Sequence, residues 1–438
     1  MRSTFSIGSR ATNAAIPRAL LAFFGFAVAL AGALRFAWLA DMEYKGDEIW
    51  MFEHALSIPA REAWPELGMH SGVGLRNPGL SVSVFAVLAK LVSATGPLDL
   101  CQGVVACNTL AYLLLFLFVF RLRPSGQREP WLWALALSAV NPLSILFQRK
   151  IWAQSILPLF CALFLIGWLR RSRYSGACLW GFVGALLGQI HMSGFFFAAG
   201  FFLCDMTLGH FRTDRPRTKW LGWFVGSVAG ALPLIPWFRY ALATSDRKYS
   251  NWSEHVQSLR FYRYWFSDSL GLGLDYSLGD QYLDFLRYPL VGTNDFYPSL
   301  YLQGLAFTVG LYLMFRVGRA CWKMRFRAEL RPSTVLSGLS EETFALISAF
   351  IGYGLLLTLS GVDVQRYYLI ITFPLEWLLL AVLARKYVAR PRSLLLLLWC
   401  TQLMLSLTFL HYIHENHGAI RGDYGEGFRW STQKSPTP

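Results

Sequence analysis

The residues of this chain best suited to chemistry are two adjacent carboxylates, Asp47 and Glu48, within the segment 45–54. They follow the first long apolar segment, residues 18–40, which is long enough to cross a bilayer as a helix. Acidic side chains are costly to hold beside lipid unless something uses them. A carboxylate here could take a proton from an attacking hydroxyl. Asp47 to His54 also fits a short amphipathic helix, which indicates chemistry at the membrane surface.

Basic and polar residues are predicted to lie on the same outer face as this acidic pair. They are His70, Arg76, Asn77, Arg149, Lys150, His191, Arg366, Tyr367 and Tyr368. Basic residues on an otherwise acidic side indicate an anionic ligand, and arginine offers a fork of donors to phosphate oxygens. Together with a nearby carboxylate, these basic residues indicate an enzyme that transfers a group from a lipid phosphate to an acceptor.

Each of these residues also has a purely structural interpretation. The acidic pair could cap the surface helix, because acids near a helix N-terminus are favoured by about 0.3–1 kcal/mol. Arg149 and Lys150 could extend to lipid headgroups. Arg366 with its tyrosines could be an interfacial anchor, and His191 could be a satisfied polar residue at a helix break. The residue types alone leave these alternatives open.

The composition shows which elements must position these residues. The chain has 438 residues, of which 55% are hydrophobic and 15% charged, against about 25% charged in soluble domains. The mean hydropathy is +0.39. We therefore expect an all-α polytopic membrane protein, with residues 1–438 forming one integral membrane domain.

The net charge of +14 is distributed as expected for a membrane protein. Six short segments, predicted to be cytoplasmic, hold 23 of the 40 lysines and arginines. They are residues 2–18, 121–128, 170–173, 212–219, 316–331 and 385–392. This pattern argues against a nucleic-acid partner, and it places the N-terminus in the cytoplasm and the C-terminal tail on the periplasmic or extracellular side.

About eleven crossings satisfy this charge rule. The predicted crossings are residues 18–40, 101–120, 131–147, 151–169, two short helices within 176–206 that break at 189–193, and then 220–240, 300–315, 343–359, 368–383 and 393–410. Residues 79–93 are too short to span and are predicted to lie on the outer surface. The first outer loop, 41–100, would then carry the candidate catalytic acid. A large outer loop, 241–299, is predicted to contain another interfacial helix, 253–266, and to bind substrate or act as a lid.

The order of several short motifs along residues 18–410 resembles the GT-C superfamily of polyprenyl-phosphate-dependent glycosyltransferases, specifically the family 39-like bacterial membrane enzymes (protein mannosyltransferase or aminoarabinose transferase-like). The motifs are Asp47-Glu48, Arg76-Asn77-Pro78-Gly79-Leu80, Asn141-Pro142-Leu143 through Arg149, His191-Met192-Ser193-Gly194, and Arg366-Tyr367-Tyr368-Leu369. The resemblance implies an inverting glycosyltransferase of the cell envelope, in a bacterial inner membrane. Its partners would be a polyprenyl-phosphate sugar donor, an acceptor glycan, lipid or protein, and membrane lipids.

The same resemblance implies roles for individual residues. Asp47 would be the general base that activates the acceptor hydroxyl, and Glu48 would orient Asp47 or help to bind a cation. Arg366, with Arg76 or Arg149, would hold the phosphate and stabilise its developing charge. Lys150 and Tyr367 complete the predicted donor site, and His70, His191 and Gln154 are further candidates.

The chain departs from the family pattern at Gln154, where many relatives carry an acid in the second outer loop. A neutral amide is a poor ligand for a hard divalent cation, so we do not expect a two-carboxylate metal site. The alternatives are an activity that needs no metal and a divalent-cation site completed by other residues. Two other functions remain: a transporter or flippase for a lipid-linked sugar, and a non-catalytic assembly subunit. Transporters usually show internal repeats and broken, charged helices at mid-membrane, which this sequence does not show.

Overall fold

The structure is a computed structural model that describes residues 16–58, 64–72, 74–211, 217–244, 252–290, 296–325 and 339–434. Its regular structure is almost entirely helical, which confirms the all-α prediction. The helices are α1 (Arg18–Phe36), α2 (Gly46–Ser57), α3 (Leu80–Leu91), α4 (Pro97–Leu122), α5 (Ser125–Val140), α6 (Pro142–Phe147), α7 (Leu157–Leu169), α8 (Tyr174–Ile190), α9 (Ser193–Leu208), α10 (Trp220–Ala231), α11 (Ile235–Ala243), α12 (Trp252–Ser258), α13 (Arg260–Ser269), α14 (Asp275–Leu278), α15 (Tyr282–Leu286), α16 (Pro298–Arg325), α17 (Glu341–Leu359), α18 (Leu375–Tyr387), α19 (Pro391–Glu415) and α20 (Phe428–Lys434). Two small antiparallel hairpins pair β1 (Leu67–His70) with β2 (Arg76–Pro78), and β3 (Gly418–Ala419) with β4 (Gly425–Glu426).

Six helices in the described part of the chain are long and apolar enough to cross a membrane. They are Arg18–Phe36, Pro97–Leu122, Trp220–Ala243, Pro298–Lys323, Glu341–Leu359 and Pro391–Glu415. A seventh span results if the short helix Arg366–Thr372 and α18, which meet at 72°, are counted together. The chain is therefore a multi-pass membrane protein. The count of eleven crossings is not confirmed, because four further apolar helices have only 10–17 residues.

The predicted crossing 131–147 is not one continuous helix. α5 ends at Val140, and Pro142 begins the separate helix α6. The backbone of a residue before proline is pushed out of the helical region, and Asn141 is extended here, with its side-chain oxygen accepting a hydrogen bond from Ser144 N (3.0 Å). The Asn-Pro pair thus ends one helix and caps the next, so the chain turns before it reaches Arg149.

Arg35, near the end of α1, holds this turn in place from inside the protein. Its side chain is fully buried, and we find no carboxylate bonded to it among the described residues. The guanidinium donates to Gln148 Oε1 (2.6 Å), Tyr112 OH (2.8 Å), Ser144 Oγ (3.1 Å) and the carbonyls of Ala31 (2.8 Å), Ala139 (3.0 Å) and Ser138 (3.3 Å). One side chain therefore joins α1, α4 and both sides of the α5–α6 break.

The predicted pair of short helices within 176–206 is confirmed as α8 and α9, which break at His191 and Met192. Gly194 makes the sharp return feasible, since a Cβ there would lie 2.3 Å from the carbonyl carbon of Leu187. The break places His191 at the tip of the helix pair.

Four of the predicted cytoplasmic loops are linked at one end of the helix bundle. Arg123 pairs with Glu342 (2.8 Å), and Arg392 pairs with Glu129 (2.7 Å). Arg171 pairs with Asp205 (2.8 Å) and accepts a backbone hydrogen bond from Lys219 (2.9 Å). α4, whose 26 residues span about 39 Å, separates this basic end from the loop that precedes α2.

The other end of the bundle is built from the first loop and the C-terminal segment. Helix α2 confirms the amphipathic segment expected from Asp47 onward, and α3 confirms a 12-residue helix that is too short to span about 30 Å. Residues 411–434 pack across the chain that leads into α2. His414 Nδ1 lies 2.6 Å from Asp41 Oδ2, Phe428 N donates to Met42 O (3.0 Å), and Tyr424 OH donates to Asp41 O.

Candidate functional site

A cavity of about 970 Å³ lies at the end of the bundle that carries α2. Its wall combines α2, the β1–β2 hairpin, the segment after α6, the α8–α9 break and residues 357–368. The polar side chains in the wall are Asp47, His70, Ser71, Asn77, Ser81, Trp152, Gln154, His191, Ser193, Trp237, Trp252, Ser360, Asp363, Gln365, Tyr367 and Tyr368. Met51, Met69, Leu75, Phe195 and Phe196 are among the apolar ones. A wall that combines aromatic and aliphatic side chains with converging polar groups is typical of a binding site for an organic molecule.

Asp47 stands at the edge of this cavity in the first turn of α2, where the helix dipole favours a negative charge. The carboxylate is exposed and accepts a hydrogen bond from Trp152 Nε1 (3.2 Å). Trp152 packs edge-on against Tyr367 with a centroid separation of 4.7 Å. An aromatic bridge thus fixes Asp47 relative to the segment that begins at Arg366, while leaving one carboxylate oxygen open.

Glu48, the second acid of the pair, points away from the cavity into the protein. Its side chain is 3% exposed and accepts a hydrogen bond from Lys45 N (3.2 Å), which caps the start of α2. Lys150 Nζ lies 4.0 Å away. The structural interpretation of the acidic pair therefore fits Glu48, whereas Asp47 is free to meet a substrate.

Burial controls the protonation of Glu48. Loss of water around the carboxyl group raises its pKa to about 7, although Lys150 acts in the opposite direction and Glu43 adds to the increase. Glu48 thus holds its proton in the native state at a pH where an exposed glutamate has lost it. This makes Glu48 a poor anchor for a cation near pH 6.

We expect the Glu48→Gln variant to have a flatter pH dependence of stability than the unmodified protein. The native state keeps a proton between the ordinary pKa of 4.5 and about 7, a range in which the unfolded chain releases it. The contribution of this group to the free energy of unfolding therefore falls as the pH rises through that window. Tryptophan fluorescence melting in detergent at several pH values measures the effect. Glu53→Gln, at an exposed acid of the same helix, is the control. Equal pH slopes in the Glu48→Gln variant and the unmodified protein would contradict this assignment.

Arg149 and Lys150 do not extend into solvent or toward headgroups, because both side chains are buried. Arg149 Nη2 donates to Trp38 O (2.6 Å). Lys150 pairs with Glu43 and lies over the ring of Trp152 at 5.2 Å. The structure therefore places both residues behind the cavity wall, where they support Trp152 and the loop before α2.

Arg366 is likewise directed away from the described cavity wall. Its guanidinium pairs with Asp268 and Asp275 (3.3 Å for the latter) and lies 4.6 Å from the centroid of the Tyr264 ring. Gly273 leaves room for it, since a Cβ there would lie 2.6 Å from Arg366 Nη1. Burial raises the pKa of Asp268 to about 6, and Arg366 opposes that increase. Arg366 thus ties the large loop to the cavity segment.

Arg76 is engaged within its own hairpin. Its Nε donates to Gly68 O (2.8 Å), and its backbone carbonyl accepts from Trp237 Nε1 (2.8 Å). The structure therefore does not bring Arg76, Arg149 and Arg366 together with Asp47. Asp47 and Asp363 are the charged side chains of the wall, and we find no lysine or arginine among the described residues that line it.

The remaining predicted residues do line the cavity. His70, His191, Gln154 and Tyr367 face it together with Asp47. His191 Nδ1 lies 2.7 Å from Ser193 Oγ, and the Oε1 atom of Gln154 is buried without a hydrogen-bond partner among the described residues. The unpaired amide oxygen can accept a hydrogen bond from a bound molecule.

Sequence reasoning missed Asp363 and Trp152. Asp363 pairs with Arg260 and accepts a hydrogen bond from Gln365 Nε2 (2.7 Å). Asp363 lies three residues before Arg366, between two apolar runs, and this position could have identified it as a candidate site residue. Trp152 offered no such signal, because its role depends on the distant Asp47.

The described residues contain no group of three or more histidine, cysteine, aspartate or glutamate side chains that could hold a metal ion.

No protein-family model and no curated protein matches this sequence. Among solved structures, the chain is similar to the oligosaccharyltransferase of Archaeoglobus fulgidus. The apo form aligns with 96% of this chain at 14% identity and a TM-score of 0.44, and the complex with zinc and sulfate aligns with 95% at 16% identity and 0.46. The complex of that enzyme with an inhibitory peptide and a dolichol-phosphate aligns with 96% at 15% identity and 0.44. The chain covers 56–58% of these longer structures, so an activity has to be argued from its own residues.

Proposed function

We propose that this chain is an inverting glycosyltransferase of the GT-C type. It moves a sugar from a polyprenyl phosphate to an acceptor at the outer face of the membrane in which it lies. The observation that carries the proposal is the placement of Asp47. It is an exposed carboxylate, fixed by Trp152, at the edge of a cavity of about 970 Å³. The order of short motifs in the sequence, from Asp47-Glu48 to Arg366-Tyr367, supports the same class of enzyme.

In this proposal Asp47 removes the proton from an acceptor hydroxyl as its oxygen attacks the anomeric carbon of the sugar. The new glycosidic bond forms on one face while the bond to the phosphate oxygen breaks on the other. The lipid phosphate leaves with the electron pair of that bond, and the configuration at the anomeric carbon inverts. The acceptor is a glycan, a lipid or a protein with a free hydroxyl.

The cavity wall suggests how the donor is held. Aromatic rings of Trp152, Trp237 and Tyr367 offer flat apolar surfaces for a sugar and the first lipid units. Since the predicted arginines face elsewhere, the phosphate is met by neutral donors, for which Asn77 and Gln154 are placed in the wall. The Asp47 carboxylate would repel the phosphate, so the donor is expected to bind with its phosphate on the side of the sugar away from Asp47, as in-line displacement requires.

The purified protein in detergent is expected to transfer radiolabelled sugar from a polyprenyl-phosphate sugar to an added acceptor. The linkage in the product should have the anomeric configuration opposite to that of the donor, which proton NMR coupling constants measure. A flippase would instead move the lipid-linked sugar across proteoliposomes without forming a glycosidic bond. Retention of configuration, or translocation without transfer, would refute the proposed mechanism.

A further inference from the structure

A second cavity, of about 420 Å³, lies at the basic end of the bundle, and none of its lining residues also lines the Asp47 cavity. It is enclosed by the start of α5, the end of α18 and the start of α19. Its described lining residues are Glu129, Pro130, Trp133, Ala381, Arg385, Arg390, Pro391, Arg392, Ser393 and Leu395. Nothing in the proposed transfer reaction uses this cavity.

The charge of this basic pocket is unbalanced. Three arginines face one carboxylate, and that carboxylate is already occupied, because Arg392 holds Glu129 with two hydrogen bonds (2.7 and 2.9 Å). Arg385 donates one hydrogen bond to Gly126 O (3.0 Å), and we find no partner for the Arg390 guanidinium among the described residues. Two arginine side chains thus retain free donors around one concave space, an arrangement that suits phosphate oxygens.

The pocket also has an apolar side. Trp133 and Leu395, which form part of its floor, are 2% and 3% exposed. From Arg392 an exposed apolar stripe runs along one face of α19 at helical spacing, through Leu396, Cys400, Met404 and Leu407. The stripe from residue 396 to 407 is about 16 Å long, close to half the thickness of a bilayer core.

We infer that the basic pocket binds the phosphate headgroup of an anionic phospholipid, whose acyl chain lies along the stripe on α19. The stripe lies on a membrane-spanning helix, so a lipid whose headgroup occupies the pocket can lay its acyl chain against it, whereas a free phosphate contacts only the arginines. A phospholipid satisfies both at once, and basic pockets between membrane helices are suited to anionic headgroups. This site is separate from the Asp47 cavity and does not depend on the function proposed for it.

Native mass spectrometry of the full chain in detergent, titrated with phosphatidylglycerol or phosphatidylcholine, tests this inference. We expect phosphatidylglycerol to bind about tenfold more tightly than phosphatidylcholine. The Arg385→Gln/Arg390→Gln double variant should lose that preference. The Arg121→Gln/Arg319→Gln variant, which removes two charges from exposed arginines outside the pocket, is the matched control and should keep it.

Three results would overturn the inference. In the first, the pocket variant keeps the preference for phosphatidylglycerol. In the second, the control loses it equally, which would indicate a diffuse basic surface. In the third, millimolar inorganic phosphate displaces the lipid completely, which would identify a site for soluble phosphate. Because all four arginines are exposed, melting temperatures should agree among the proteins and thereby exclude misfolding.

Discussion

Replacing Asp47 by asparagine is expected to lower kcat for sugar transfer by about 10³-fold, within the range attributed to general-base catalysis. The amide keeps the size of the carboxylate, and its oxygen still accepts the hydrogen bond from Trp152 Nε1. It cannot take the proton of the acceptor hydroxyl. The loss should therefore appear in kcat, with little change in KM, in an assay that follows radiolabelled sugar from the lipid donor to the acceptor.

Two companion variants make this result specific. Glu53→Gln removes an exposed acid from the same helix and should retain full activity. Trp152→Phe keeps an aromatic ring against Tyr367 but removes the donor to Asp47, so we expect a smaller decrease, of about tenfold. An Asp47→Asn variant with undiminished kcat would remove the basis of the proposed mechanism.

Replacing Arg35 by methionine is expected to lower the free energy of unfolding by at least about 3 kcal/mol. Methionine fills much of the volume but leaves the buried acceptors of Gln148 and Ser144, together with three backbone carbonyls, without their donor. The α5–α6 break loses its tie to α1, so the loop that carries Trp152 should also shift. Unfolding in mixed micelles with increasing dodecyl sulfate measures the change.

The control for this variant lies on the same helix. Arg18→Met removes an exposed arginine from the first turn of α1 and should leave the unfolding midpoint nearly unchanged. Arg35→Lys keeps the charge but replaces a planar fork with a single ammonium group, so an intermediate loss is expected. If Arg35→Met is as stable as the unmodified protein, the six hydrogen bonds contribute little to the fold.

Local sequence patterns predicted much of the fold. The run of apolar residues that begins at Arg18, the amphipathic segment after Asp47 and the polar break at His191 each contain their own signal, and each is confirmed. The Asn-Pro pair at residue 141 was visible too, but length alone made 131–147 resemble a single crossing. The number of crossings was the weak point, because helices of 10–17 residues fit a membrane segment and a buried helix equally well.

The positions of the basic side chains could not be predicted in this way. Arg366 pairs with Asp268, which is 98 residues away, and Lys150 pairs with Glu43, which is 107 residues away. Whether a guanidinium or ammonium group faces a cavity or a buried carboxylate depends on these distant partners. The sequence shows only that the charge must be neutralised by something, and here the protein itself supplies the counterion.

The contact between His414 and Asp41 joins residues that are 373 positions apart in the chain. At a synthesis rate of about 5–20 residues per second, His414 is made roughly 20–75 seconds after Asp41, so the contact between them can form only after that interval. Membrane insertion of α1 therefore precedes completion of the site by most of the translation time. The loop before α2 is therefore covered late in synthesis, and a nascent chain released before residue 414 would lack this contact.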